Sequence, residues 1–297
     1  MSNWQYNNWY VEAFGEEGTS FGLAIKQKLH EEKTPFQKIE IYDTERFGKL
    51  LALDGCIMLT ERDNFLYHEM MTHPALFSHP KPEKVVIIGG GDCGTLKEVL
   101  QHPEVKSAWQ IEIDERVTQL AQQYFPDLCI LNNDPRATLL FEDGMRWIES
   151  RAAESVDLII IDSTDPAGPA AGLFSADFYG NCFQILSPNG ILVLQSESPI
   201  LHANSIIADM HRNLKSSGFS QSITLPFPQP VYPSGWWSST MAVKLNDIDP
   251  IKPDFFAHFR EQDSKHKKFQ TLYYNHEIHK AALAQPEFLK SALHIDH

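Results

Sequence analysis

The chain has 297 residues, with 25 Lys and Arg against 39 Asp and Glu for a net charge of −14; it is 42% hydrophobic, 11% aromatic and 22% charged. That is the composition of a folded protein with one large or two smaller domains, and it excludes disordered and fibrous classes. An acidic surface suits cationic small molecules better than phosphate backbones or anionic lipid, so nucleic acid is not an expected partner.

Up to about Thr60 the chain reads as short strands. Trp9–Glu12, Phe21–Ile25, Lys38–Tyr42 and Lys49–Leu53 are rich in β-branched and aromatic residues, and Gly15, Gly18, Gly48 and Asp54-Gly55 separate them. They predict a small antiparallel sheet over residues 1–63. From Asn64 to the end, residues 64–297, the pattern is that of a second, Rossmann-like domain. A helix at Phe65–Phe77 leads to Val85-Val86-Ile87-Ile88, an apolar run suited to a strand buried on both faces of a parallel sheet. Helix Thr95–Leu100, strand Ala108–Ile113, helix Arg116–Tyr124, strand Ala137–Phe141, helix Met145–Arg151 and strand Leu158–Ile161 follow. Helix Ala176–Leu186, strand Ile191–Gln195, helix His202–Ser217 and strands Ser220–Leu225 and Ser239–Leu245 complete a doubly wound α/β domain. The charged segment after Lys252 is expected to be surface helix. No stretch approaches the roughly 20 apolar residues of a membrane span, and Met1-Ser2-Asn3-Trp4-Gln5 lacks the start of a signal peptide, so a cytoplasmic location is expected.

Neither cysteine nor histidine spacing points to a metal. Cys56, Cys93, Cys129 and Cys182 form no CxxC pair and are expected to be free thiols. His68-Glu69-Met70-Met71-Thr72-His73 places its second histidine at i+5, off the face that an HExxH zinc site requires.

The chemistry is expected at the carboxyl ends of the parallel strands. Gly89-Gly90-Gly91-Asp92-Cys93-Gly94 forms the first strand–helix turn, where glycines admit a close ligand, and its pattern is not that of a P-loop. Glu112, about 20 residues on, is placed to grip the ribose hydroxyls of a nucleoside, with Asp114 on the same face. Asp92 is the informative residue. A carboxylate inside such a turn repels the pyrophosphate of NAD and the carboxylate of intact S-adenosylmethionine, and attracts an ammonium. Asp143-Gly144 ends a further strand, and Asp162-Ser163-Thr164-Asp165-Pro166-Ala167-Gly168-Pro169 another. So many convergent carboxylates call for cationic ligands.

The strings GGGDCG, QIEID, EDG and DSTDPAGPAAGLF, with LYHEMMTHPAL ahead and VYPSGWW behind, resemble the polyamine aminopropyltransferases over nearly the whole chain. The resemblance implies a class I methyltransferase-type fold and transfer of the aminopropyl group of decarboxylated S-adenosylmethionine, a co-substrate, to putrescine, giving spermidine and 5′-methylthioadenosine. It also implies a homodimer or homotetramer and no metal or resident cofactor. Asp162 matches the catalytic aspartate. Gln37, Asp92, Glu112, Asp143, Gly144, Pro169 and Leu173 match nucleoside-side contacts, Asp92 holding the aminopropyl amine. Tyr67, His68, Asp92, Asp162, Ser163, Thr164, Asp165, Gln195 and Tyr232 match the diamine channel. Cys93 stands where the family usually has glycine, and Trp236-Trp237 follow Tyr232 at a variable place that bears on acceptor choice.

Charge then dictates mechanism. An alkyl ammonium with a pKa of about 10 carries no lone pair at neutral pH, so the attacking amine must lose a proton, and Asp162 is the expected acceptor with Asp165 beside it. The rivals are a class I methyltransferase acting on a small amine, an aminopropyltransferase with another acceptor, and a non-catalytic nucleoside-binding protein on the same fold.

Overall fold

The computed structural model describes residues 8–15, 17–164, 168–245 and 254–293. Five strands, β1 (Trp9–Phe14), β2 (Thr19–Lys33), β3 (Lys38–Thr44), β4 (Lys49–Leu53) and β5 (Cys56–Thr60), form an antiparallel sheet in chain order. The four expected strands are present. β2 runs much further than expected because its polar second half still pairs with β3 as far as Lys33, and a sheet face turned to solvent needs no apolar residues. β5 was not expected. Asp54 (φ 50°) and Gly55 (φ 94°) are both left-handed and join Leu53 to its partner Cys56, so the dipeptide is a two-residue hairpin turn rather than a boundary.

Beyond it, α1 (Asn64–Ser78), β6 (Lys84–Gly89), α2 (Gly94–Leu100), β7 (Ser107–Glu112), α3 (Glu115–Tyr124), β8 (Ala137–Phe141), α4 (Gly144–Glu149), β9 (Val156–Asp162), α5 (Ala176–Ile185) and β10 (Leu186–Gln195) alternate. The second sheet has the order β11-β12-β10-β9-β6-β7-β8, where β11 (Gln221–Pro228) and β12 (Trp236–Val243) are antiparallel and the other five strands parallel. The chain steps outward from β6 to β8 and returns to the opposite side at β9, so the switch point lies between β6 and β9, where Gly89 pairs with Asp162. Along β6, Val85 and Ile87 pack toward α1 and α2, while Val86 and Ile88 pack toward α4 and α5. This two-sided burial is why the strand is apolar throughout.

Helix α1 is buried from Leu66 to Ser78 and passes through Pro74. Proline offers no N–H to the Met70 carbonyl one turn back; Ser239 of β12 donates its hydroxyl to that carbonyl instead, at 3.4 Å. Glu69, one residue past His68, accepts the backbone N–H groups of Leu272, Tyr273 and Tyr274 at 2.7–2.9 Å. Both contacts hold α1, and with it the start of the site, in a fixed place.

Two late elements differ from expectation. The helix expected at His202–Ser217 begins at α6 (Pro199–His202), with Ser198 as its cap, and reaches α7 (Ala208–Ser216) through one wide turn at Ala203–Ile207. After residue 254 the short helices α8 (Glu261–Lys265), α9 (His276–Leu283) and α10 (Glu287–Ala292) are not merely surface, because Phe256, Tyr274, His279 and Leu289 are buried beneath them. The two sheets are joined through α3. Ile39, Ile41 and Leu51 pack on Val117 and Leu120, and Arg116 makes a two-pronged ion pair with Glu32 of β2 at 2.7 and 2.9 Å.

Candidate active site

The turn after β6 is shaped by backbone approach. Gly89 (φ 84°) and Gly90 (φ 65°) are left-handed, and Gly90 N–H donates to the Asp162 carbonyl at 2.7 Å. A Cβ on Gly89 would lie 2.1 Å from that oxygen. Gly89→Ala is therefore expected to destabilise the protein by about 3 kcal/mol or more, read by urea unfolding, since strain and a backbone clash combine. A cost below about 1 kcal/mol would mean that the turn relaxes freely.

This close approach brings two carboxylates into one crevice. Asp162, at the end of β9, is buried. Its Oδ1 accepts the Tyr67 hydroxyl at 2.7 Å and its Oδ2 the Thr95 hydroxyl at 2.6 Å. Burial and the negative charge of Asp92 push its pKa up, against the opposing effects of His68, Thr95 and Tyr67. Asp92 accepts Gly94 N–H at 2.6 Å and lies 3.2 Å from His68 Nε2. Burial would raise the Asp92 pKa, but the imidazole and the Gly94 amide outweigh it and the carboxylate stays ionised; the His68 pKa rises in return. The His68 ring occupies the space where Gly94 has no side chain. Its pairing with Asp92 makes His68 part of this cluster rather than an incidental helix residue.

Glu112 ends β7 beside Gly91, where a Cβ would lie 2.9 Å from its Oε2. Its Oε1 accepts Asp114 N–H at 2.9 Å. Burial, reinforced by Asp114 and Asp162, pushes its pKa up to about 7. Asp114 caps α3 through Arg116 N–H and accepts the Gln37 amide at 3.1 Å and the Thr34 hydroxyl at 2.7 Å. Gln37 thus reaches the Glu112 side of the crevice from the loop between β2 and β3. Asp143 caps α4 through Met145 N–H at 2.9 Å, and Gly144 is packed on Ile88. The 3₁₀ segment Gly168–Phe174 abuts the start of α4: Gly172 lies against Met145, and Leu173 is part of the same apolar cluster. Pro169 belongs to this segment, and Asp165 lies outside the described residues.

On the other side of Asp162 opens a narrow cleft lined by Tyr67, Ser163, Thr164, Gln195, Tyr232 and Trp237. Tyr232 donates its hydroxyl to the Met58 carbonyl of β5, and its ring meets Tyr67 and Trp237 edge-on at 5.8 and 4.8 Å. Trp236, by contrast, packs on Phe288. Both ends of the Gln195 amide engage Glu197: its carbonyl accepts Glu197 N–H at 3.2 Å and its NH₂ donates to the carboxylate at 3.4 Å. The buried carboxylate of Glu12 also lines the cleft and accepts Ile57 N–H at 2.9 Å.

Thr95 and Glu12 carry no signal in the sequence that marks them for this site. Thr95 is an ordinary helix residue, and only the pairing of β6 with β9 brings it to Asp162. Glu12 is a lone acidic residue in a short strand, and only the first sheet's position against the cleft shows it buried.

A doubly wound sheet with carboxylates at three parallel strand ends around a glycine turn, fronted by a small antiparallel sheet, defines a class I methyltransferase-type nucleoside-binding protein with an acidic second pocket. Residues 64–250 match the spermine/spermidine synthase domain and residues 8–61 the spermidine synthase tetramerisation domain, and the chain belongs to the polyamine aminopropyltransferase family. It is 57% identical over 288 residues to the polyamine aminopropyltransferase of Thioalkalivibrio sulfidiphilus, covering 97% of this chain and 98% of that one. The enzyme of Methylococcus capsulatus is 56% identical over 286 residues, 96% and 97% of the two chains. Among solved structures, a spermidine synthase in complex with the transition-state analogue AdoDATO superposes with a TM-score of 0.90 at 34% identity, covering 98% and 97%. The spermidine synthase of Thermotoga maritima gives 0.87 at 34%, covering 97% and 94%.

Proposed function

We propose that this aminopropyltransferase moves the aminopropyl group of decarboxylated S-adenosylmethionine to putrescine, giving spermidine and 5′-methylthioadenosine. The observation that carries the reading is the pair of carboxylates in one crevice, Asp92 half-buried and Asp162 buried, with the Glu112 strand end on one side and the cleft that Glu12 lines on the other. In this reading Glu112 holds the ribose hydroxyls, with Gln37 fixing Asp114 behind it. Asp143, Gly144, Pro169 and Leu173 enclose the base and thioether, and Asp92 takes the aminopropyl ammonium. A cation arriving there stands where His68 already offers a proton, so His68 would become neutral as the ligand binds.

The diamine lies along Tyr67, Ser163, Thr164, Gln195 and Tyr232, with Asp165 near the attacking end and Glu12 as the counter-charge at the far wall. Asp162 accepts the proton of the attacking amine. Its raised pKa makes it a better base than an exposed carboxylate, and the hydroxyls of Tyr67 and Thr95 hold both its oxygens in place. The nitrogen then attacks the carbon bound to the sulfonium in line, the C–S bond breaks with its electron pair on sulfur, and neutral methylthioadenosine departs. Orientation and deprotonation supply the catalysis.

The family match over residues 8–61 supports a homodimer or homotetramer. A cytoplasmic location agrees with the absence, among the described residues, of any helix long and apolar enough to cross a membrane. The experiment is a comparison of decarboxylated with intact S-adenosylmethionine, each with putrescine, following methylthioadenosine release. Release from the decarboxylated form alone supports the reading, and methyl transfer from the intact form overturns it.

Glu112 makes a separate prediction. A carboxylate accepts both ribose hydroxyls at once, whereas protonation turns one of its oxygens into a donor, so a group with a pKa of about 7 holds the ribose more weakly once protonated. Methylthioadenosine should bind about tenfold more weakly at about pH 6 than at about pH 8, and Glu112→Gln should flatten the dependence. Calorimetric titration reads both; constant wild-type affinity across that range removes Glu112 from the ribose.

A further inference from the structure

Glu197 has no part in the transfer described above, yet its carboxylate is buried two residues beyond Gln195, which lines the amine cleft. The backbone there is forced. Glu197 takes the left-handed conformation (φ 64°), which a residue with a Cβ adopts at a cost, and so does Ser234 (φ 65°) on the loop between β11 and β12. The two segments are tied together. The hydroxyls of Ser198 and Ser234 share a hydrogen bond at 2.7 Å, and the Ser238 hydroxyl reaches the Glu197 carbonyl at 2.8 Å.

This turn gives a two-point hold on one amide. Glu197 N–H donates to Gln195 Oε1 at 3.2 Å, and the Glu197 carboxylate accepts from Gln195 Nε2 at 3.4 Å. A carboxamide rotated by half a turn would set its NH₂ against the Glu197 N–H and its oxygen against the carboxylate, two repulsive contacts in place of two attractive ones. The turn therefore fixes which end of the amide is oxygen. One lone pair of Oε1 and one N–H of Nε2 are left for other partners.

Behind Glu197 stands His202 of α6. Its Nδ1 lies 3.7 Å from Glu197 Oε2, and its Nε2 lies 3.4 Å from Glu17 Oε1 on the turn between β1 and β2. A protonated ring presents an N–H on each side and so spans the two carboxylates. Its backbone is fixed as well, because His202 N–H donates to the carbonyl of Ser198, the cap of α6, at 2.9 Å. A line of contacts thus runs from Glu17 in the first sheet's hairpin through His202 and Glu197 to Gln195 in the wall of the cleft.

We propose that Glu197 is a positioning residue for the acceptor amine: it holds the Gln195 amide with the carbonyl available to an ammonium N–H of the diamine, and His202 extends that hold to Glu17. The inference rests on the reading of the cleft as the diamine site. A diamine dication offers only donors, so the oxygen end of an amide attracts it and the NH₂ end repels it. An amide whose NH₂ already donates to a carboxylate also has a more negative carbonyl oxygen, which strengthens the bond to the ammonium.

The test reads the hold and its consequence separately in the full chain. Without substrate, the side-chain NH₂ resonances of Gln195, identified by their loss in Gln195→Leu, should move in Glu197→Gln and move less in His202→Gln. With both substrates present, Glu197→Gln should raise the putrescine KM by about tenfold and leave kcat within about twofold, with methylthioadenosine bound as in the wild type. In a Gln195→Leu background the same substitution should change KM no further, because Glu197 acts through that amide. Glu197→Gly, whose backbone suits φ 64°, removes the same carboxylate without loading the turn. The proposal is overturned by Gln195 resonances that do not move, by an unchanged KM, by kcat and methylthioadenosine affinity falling as KM rises, or by an equal KM effect with and without Gln195. The resonances are read without substrate, so failure of the hold and failure of the proposed transfer are told apart.

Discussion

Asp162→Asn is expected to lower turnover by about 10³-fold, within the range for loss of a general base, while methylthioadenosine binding stays within a few fold. The side chain is nearly isosteric, and the hydroxyls of Tyr67 and Thr95, which now donate to the carboxylate, can each donate to the amide oxygen or accept from its NH₂. What disappears is the proton acceptor. The remaining activity should rise more steeply with pH than in the wild type, because only the small fraction of diamine already neutral in solution can then attack. Single-turnover rates and calorimetry on the same variant separate the two effects. A variant with near wild-type turnover would take Asp162 out of the reaction, and one that had lost nucleoside affinity in proportion would make it a structural residue.

The parts of this site legible in the sequence are those at strand ends. A parallel strand announces itself by an unbroken apolar run, and its last residue is fixed within a position or two, so the order of residues alone places Asp92, Glu112 and Asp162 in one crevice. Gln37 is reached only through the family resemblance; the loop between β2 and β3 that holds it gives no hint of the Asp114 that it meets. The unread parts depend on long-range pairing. The Ser239 hydroxyl that serves the Met70 carbonyl opposite Pro74 and the three backbone amides gathered by Glu69 each join segments whose meeting no local pattern encodes. Asp54-Gly55 shows the converse. The hairpin signal is present in two residues, and taking it for a separator loses the strand that follows.

Asp92→Asn should change which sulfonium the protein holds. In the wild type the carboxylate is kept ionised by His68 and by Gly94 N–H against the penalty of burial, and it faces the place where the two forms of the ligand differ. Intact S-adenosylmethionine brings a carboxylate there, and like charges at partly buried positions commonly oppose each other by a few kcal/mol, a factor of about 10² or more in affinity. The decarboxylated form brings only its ammonium. Asparagine keeps the acceptor for Gly94 N–H, so the turn should hold its shape, and its NH₂ can face a neutral His68 Nε2. The variant loses the attraction for the ammonium and the repulsion of the carboxylate together. Its affinity for the decarboxylated form should drop by about tenfold or more, while that for the intact form stays level or improves. Titrating both ligands against both proteins by calorimetry decides the matter. Equal wild-type affinity for the two sulfoniums would mean that Asp92 does not select by charge, and discrimination would then have to come from the shape of the crevice around the aminopropyl chain.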